Sequence, residues 1–170
     1  MRIRPEQRVS IDELRAALDY DPSTGRFTWK ISPTSFIKAG TPADCVCNPR
    51  KPYIRIAYKQ ARILAHRIAW AFVHGRWPEG QIDHINGNHS DNRIENLREV
   101  TQSVNCQNQR RAKRQNRTGL LGVSPSKWGA YIAQINIRGE RTYLGTFKTA
   151  EEAHQAYVKA KRAHHEGCVI

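Results

Sequence analysis

Between Asn105 and Thr118 the chain carries five basic side chains, Arg110, Arg111, Lys113, Arg114 and Arg117, and no acidic one. A run of this kind repels itself and has too few apolar residues to make a core. It therefore divides the 170-residue chain into two pieces, each of which must bury a small core of its own. Cores of that size depend on help from metal, nucleic acid or partner contacts. The basic excess extends beyond the run: 28 Lys and Arg stand against 15 Asp and Glu, a formal net charge of +13. That balance points to a polyanionic partner, and its concentration in one segment favours a phosphate backbone over a merely soluble surface.

Other function classes fit poorly. Apolar residues never run for the roughly 18 positions that a spanning helix needs, and the first residues, MRIRPEQ, lack the apolar centre of a secretory signal. The expectation is an intracellular protein with no membrane association and no obligate protein partner. Cys45, Cys47, Cys106 and Cys168 are too scattered for a disulfide framework. Cys45 and Cys47 sit closer together than the usual zinc-ligand pair, and no second pair completes four ligands.

Local patterns supply the elements. Ser10 with Glu13 forms a capping-box pattern ahead of a helix over about 10–19. Pro22 to Gly25 reads as a turn, and Arg26 to Ile31 alternates Phe27 and Trp29 with polar residues like a half-buried strand. Residues 32–51, with Pro33, Pro42, Pro49 and Gly40, read as an irregular connection. Tyr53, Ile54 and Ile56 signal a second strand. Ile63 to Val73 has helical spacing, with Gly75 as its stop; His66 and Arg67 at its start read as packing or phosphate-facing residues. Beyond Thr118, Tyr131 to Ile137 alternates as a strand, Arg138-Gly139-Glu140 turns, and Thr142 to Phe147 returns. Thr149 caps a helix over about 150–165 whose Ala153, Ala156, Tyr157, Ala160 and Ala163 form a small-residue inner face.

The densest chemistry lies in QIDHINGNHSDNRIENLREVTQSVNCQN, residues 81–108. Cleaving a phosphodiester needs a base to activate water and an electrophile to neutralise charge on the phosphate. Histidine titrates near neutrality, and Asp or Asn offers the hard oxygen that Mg²⁺ prefers. On a strand ending at Ile82 to Ile85, Asp83 and His84 point to opposite faces and so divide those duties. A further ligand has to come from elsewhere, and Asn105, one turn into a helix starting after Thr101, is placed to supply it. Asn86, Asn88 and Asn92 read as turn residues tolerating left-handed backbone, and His89 as a solvated loop residue.

Asp83-His84, Asn96-Leu97-Arg98 and Thr101 with Asn105 resemble, in order and spacing, the ββα-metal finger of HNH endonucleases, particularly the phage and homing branch. LRAALDYDPSTGRFTW and His66-Arg67-Ile68-Ala69-Trp70 resemble segments that precede the finger in such proteins. The resemblance implies that Asp83 and Asn105 bind one Mg²⁺ or Mn²⁺ ion, that His84 is the general base, and that Asn96 braces the loop; Asn105 replaces the final histidine. It also implies a phage-encoded protein in a bacterial host, nicking double-stranded DNA to leave 5′-phosphate and 3′-hydroxyl ends. The alternative is a non-catalytic DNA-binding regulator that keeps the finger as scaffold.

Residues 119–166, through Gly122-Val123, Trp128-Gly129, Ala133-Gln134-Ile135, Tyr143-Leu144-Gly145-Thr146-Phe147 and Glu151-Glu152-Ala153, resemble the Apetala-type DNA-binding domain of plant transcription factors. That family lays a three-stranded antiparallel sheet in the major groove with a helix behind it. Ser124, Ser126 and Asn136 stand where plant members place arginines, so a different target sequence is expected. Candidate contacts are Lys127, Trp128, Tyr131, Gln134, Arg138 and Arg141, with Arg110, Arg111, Lys113, Arg114 and Arg117 following the backbone between footprints. Trp128 and Tyr131 equally fit packing roles. The expected fold is α+β: residues 1–104 form an N-terminal α/β region and nuclease core with the finger at about 80–109. Residues 105–118 end the finger helix and make the basic linker, and 119–170 form the Apetala-type module.

Overall fold

The computed structural model describes residues 5–46 and 53–168; Cys47 and the last part of the expected 32–51 connection lie outside them. The chain is α+β, built from small antiparallel sheets and short helices. It divides into two compact units, Met1–Thr101 and Gln102–Ile170.

In the first unit a 3-10 turn at Pro5–Arg8 leads to α1 (Ile11–Ala17). Its start is the capping box that the sequence implies: the Glu13 amide donates to the Ser10 hydroxyl, and the Ser10 amide to the Glu13 carboxylate. The helix stops at Ala17 rather than near residue 19, because Leu18 enters β1 (Leu18–Asp21), paired antiparallel with β2 (Arg26–Trp29). Leu18 lies opposite Trp29 and both are buried, so the hairpin keeps in the core a side chain that another helical turn would have rotated away. Phe27 stacks on Tyr20 and meets Phe72 edge-on.

The short strand β3 (Cys45–Val46) pairs with β4 (Ile54–Tyr58), which pairs with β5 (Ala61–Leu64). Here the helical spacing read from Ile63 onward is corrected. Ile63 and Leu64 are strand residues, and α2 runs from Ala65 to His74, ending at Gly75. Ile63 lies opposite Ile56 across the ladder and both are almost fully buried, a cross-strand contact that spacing along one segment cannot report. The strand β6 (Gln81–His84) then pairs antiparallel with β7 (Leu97–Val100). Ile82 and Leu97 fasten this pair to the core formed by Leu14, Leu18, Phe27, Ile56, Ile63 and Ile68.

The second unit begins with α3 (Gln102–Gln107) and the irregular basic run. It continues with β8 (Val123–Pro125), β9 (Tyr131–Ile137) and β10 (Glu140–Phe147), a three-stranded antiparallel sheet in the order β10-β9-β8. Helix α4 (Ala150–His164) opens on a capping box of Thr149 and Glu152 and packs on the sheet. Val123, Ala133 and Ala153 close one half of this core and Leu121, Ile135 and Tyr157 the other.

The inner face of α4 differs from expectation at one position. Ala163 is exposed and Lys161 is buried, because Ala153, Tyr157 and Lys161 follow one another at i+4 steps while residue 163 lies roughly 200° around the helix from residue 161. The Lys161 stem runs along the core, and its ammonium donates to the Gln109 carbonyl at 2.5 Å. Burial lowers its pKa. Among the described residues no helix is long and apolar enough to cross a membrane, and neither Cys106 nor Cys168 is in a disulfide.

Candidate active site and nucleic-acid face

Strand β6 ends on two buried polar side chains in succession, Asp83 at 6% and His84 at 2% exposure. Strand alternation sends them to opposite sides, and each meets a different partner. Asp83 lies directly across the ladder from Arg98, whose Nε and Nη2 both donate to Asp83 Oδ2, at 2.9 and 2.8 Å. Both bonds end on one oxygen of a carboxylate held in a largely dry site, where charge-assisted pairs are strong. Arg98 was legible only as part of a motif; its pairing with Asp83 follows once β6 and β7 are placed in register.

His84 Nε2 lies 3.2 Å from Asn92 Oδ1. Burial pushes the His84 pKa below its ordinary value, against the Asn92 bond and the Asp83 and Asp91 charges, which favour the protonated ring. The imidazole is thus kept neutral, the form a proton acceptor requires. Asn92 is itself 1% exposed, with its Nδ2 buried and unpartnered among the described residues. Its role as a mere turn residue is corrected by this contact. No local pattern signals it, because the bond spans a loop.

Asn96, at the end of the 3-10 turn Ile94–Asn96, does bridge that loop. Its Oδ1 accepts from the Asn86 amide at 2.9 Å and its Nδ2 donates to the Asp91 carbonyl at 2.8 Å, while its carbonyl accepts from the Ile85 amide. Asp91 in turn accepts from Arg93, which holds its carboxyl down at about 2, and from Asn86 Nδ2. Asn86 and Asn88 bond to backbone amides two residues on, as turn asparagines do.

Other rings crowd His84. His66 meets it edge-on at 5.0 Å between centroids and is 5% exposed. Burial takes the His66 pKa down to about 3, so this imidazole is a neutral packing group, as its place at the helix start implies. His89 is not simply solvated: it is half-buried and stacks on Tyr53 at 4.4 Å.

Asn105 lies half-buried on α3, in the second unit. Asp83 and Asn105 both present hard oxygen donors, the chemistry that a small divalent cation selects. Among the described residues no group of three or more His, Cys, Asp or Glu is arranged to hold a metal ion.

In the second unit Arg110, Arg111, Lys113, Arg114 and Arg117 are all exposed. So are Lys127, Arg138 and Arg141, and Trp128 is 91% exposed. Tyr131, by contrast, packs against the sheet core. Gln134 is on the sheet face opposite to buried Ala133 and Ile135, and its cross-strand neighbour is Tyr143, 59% exposed. Tyr143 was not among the expected contacts, although the alternation that placed Gln134 outward also bears on its partner strand. Asn136 bonds to both backbone groups of Gly139 and so closes the β9–β10 turn.

Residues 64–107 match the HNH endonuclease family. In sequence they include the strand, strand, helix succession of β6, β7 and α3, and all of Asp83, His84, Asn96 and Asn105. The C-terminal region is similar to Arabidopsis thaliana proteins. It is 50% identical over 48 residues to the ethylene-responsive transcription factor LEP, covering 27% of this chain and 23% of that protein. It is also 45% identical over 49 residues to the dehydration-responsive element-binding protein 2A, covering 28% and 15%. The chain thus spans less than a quarter of the length of these relatives. No solved structure matches it significantly. The chain joins a segment that matches the HNH endonuclease family to a C-terminal segment similar to part of those plant proteins.

Proposed function

We propose that the protein is a metal-dependent DNA endonuclease of the homing type that nicks double-stranded DNA. The observation that carries this reading is the end of β6: a buried carboxylate and a buried neutral imidazole on opposite sides of one strand, inside the segment matching HNH endonucleases. His84 takes the proton from the attacking water. Asp83 and Asn105 would hold one Mg²⁺ or Mn²⁺ ion, which would supply charge stabilisation at the phosphate and the leaving 3′ oxygen. Arg98 orients the Asp83 carboxylate through its two hydrogen bonds, and Asn96 ties the loop to the strands. The finger at about 80–109 cuts. The module at 119–170, with Gln134, Lys127, Trp128, Arg138 and Arg141 toward DNA, chooses where. The products carry ligatable 5′-phosphate and 3′-hydroxyl ends. Nicked circles that DNA ligase reseals support the reading, and nicks that resist ligase without end repair contradict that polarity.

The basic stretch between them adds salt-dependent affinity. Replacing Arg110, Arg111, Lys113, Arg114 and Arg117 together with Gln is expected to flatten the plot of log binding constant against log salt by up to about 4.5, since each phosphate contact on duplex DNA contributes about 0.9. Fluorescence anisotropy with a labelled duplex at several salt concentrations measures this. An unchanged slope would make the run a solvated tether.

A further inference from the structure

Asn92 connects the candidate base to a part of the chain with no chemistry of its own. Its side-chain Oδ1 faces His84 Nε2 at 3.2 Å, and its backbone is gripped by the β1–β2 hairpin. The Tyr20 hydroxyl, from β1, donates to the Asn92 carbonyl at 2.8 Å. The Ile94 amide donates to the Pro22 carbonyl in the hairpin turn at 3.3 Å. Gly25 closes that turn with φ of +72°, and a β-carbon there would collide with the Asn92 carbonyl carbon and the Arg93 amide nitrogen. Contacts from one hairpin thus hold the backbone from Asn92 to Ile94, the segment whose first side chain faces the imidazole.

An amide oxygen only accepts. A ring nitrogen 3.2 Å from it must therefore be the donor, so Nε2 carries a proton and Nδ1 is the nitrogen that can offer a lone pair. Fixing that tautomer decides which nitrogen can take a proton from water, as the second partner of a functional histidine generally does.

We infer that Asn92 is the positioning residue of His84, holding it in the Nε2–H tautomer, and that the β1–β2 hairpin is the brace that fixes Asn92 through Tyr20 and Gly25. The inference deepens the nuclease reading and rests on it for its kinetic consequence. Tyr20 suits the brace: burial and the neighbouring Asp21 and Asp91 charges raise its phenol to about 12, so it stays a donor.

The test combines kinetics on supercoiled plasmid with long-range proton–nitrogen NMR of the histidine rings in the full chain. Asn92→Leu, of similar size but without the acceptor, is expected to lower kcat by about 10–100-fold with KM little changed, and to give His84 a mixture of tautomers. Asn92→Asp, which keeps the acceptor, restores most of the rate. Tyr20→Phe removes one oxygen from the brace and gives a smaller kcat loss in a chain whose circular dichroism is unaltered. Parental kcat in Asn92→Leu, or a parental His84 ring carrying its proton on Nδ1, overturns the inference. Should the parent fail to nick DNA at all, the nuclease reading falls, and the tautomer measurement alone still decides the positioning claim.

Discussion

His84→Ala is expected to slow plasmid nicking by roughly 10²- to 10⁴-fold, the usual contribution of a positioned general base, with little change in affinity for duplex DNA. The ring is 2% exposed and enclosed by Asn92 and His66, whereas the charged groups suited to phosphate are the exposed arginines and lysines of the second unit. Loss of the ring removes the proton acceptor and leaves those groups in place. Because the deletion also opens a buried space, its effect on rate has to be read beside a thermal midpoint: a rate loss at temperatures where the variant remains folded is the expected result. Nicking within about threefold of the parent would remove His84 from the chemistry.

The second large effect concerns a glycine outside the nuclease segment. Gly122 has φ of +73°, and a β-carbon there would fall within the ring of Tyr157 on α4. The flat side chain is itself buried against Leu121 and Ile135 and cannot step aside without opening the core. Gly122→Ala therefore combines overpacking, typically about 1–3 kcal/mol, with a left-handed backbone that costs an alanine about 1–2 kcal/mol more. The sum is a large part of what a small domain has. The expected outcome is loss of the α4 helical signal, measured by circular dichroism, together with weakened duplex binding. A variant with the parental melting temperature would mean that α4 and the Gly122 backbone are farther apart than described.

The readable parts of this fold are those fixed by neighbours in sequence. Ser10 with Glu13 and Thr149 with Glu152 satisfy helix starts within one turn, and the alternation from Tyr131 to Ile137 states which side chains face inward. The parts that were missed depend on partners far along the chain. Leu18 leaves its helix for Trp29, and Ile63 leaves a helical spacing for Ile56. Lys161 is inside because Gln109, across the unit, offers a carbonyl. The candidate site divides the same way. Asp83, His84, Asn96 and Asn105 stand in a recognisable order, whereas Arg98 and Asn92 acquire their meaning only when two strands are set in register and a loop is folded back.

Asp83 and His84 leave one strand on opposite sides, and the proposed function gives the carboxylate to a divalent cation. Supercoiled plasmid incubated with the purified protein, with Mg²⁺ or Mn²⁺ in one arm and a chelator in the other, tests this most directly. Nicked circles are expected to accumulate in the metal arm and not with chelator. Equal nicking in both arms, or none with either metal, would contradict the proposed function.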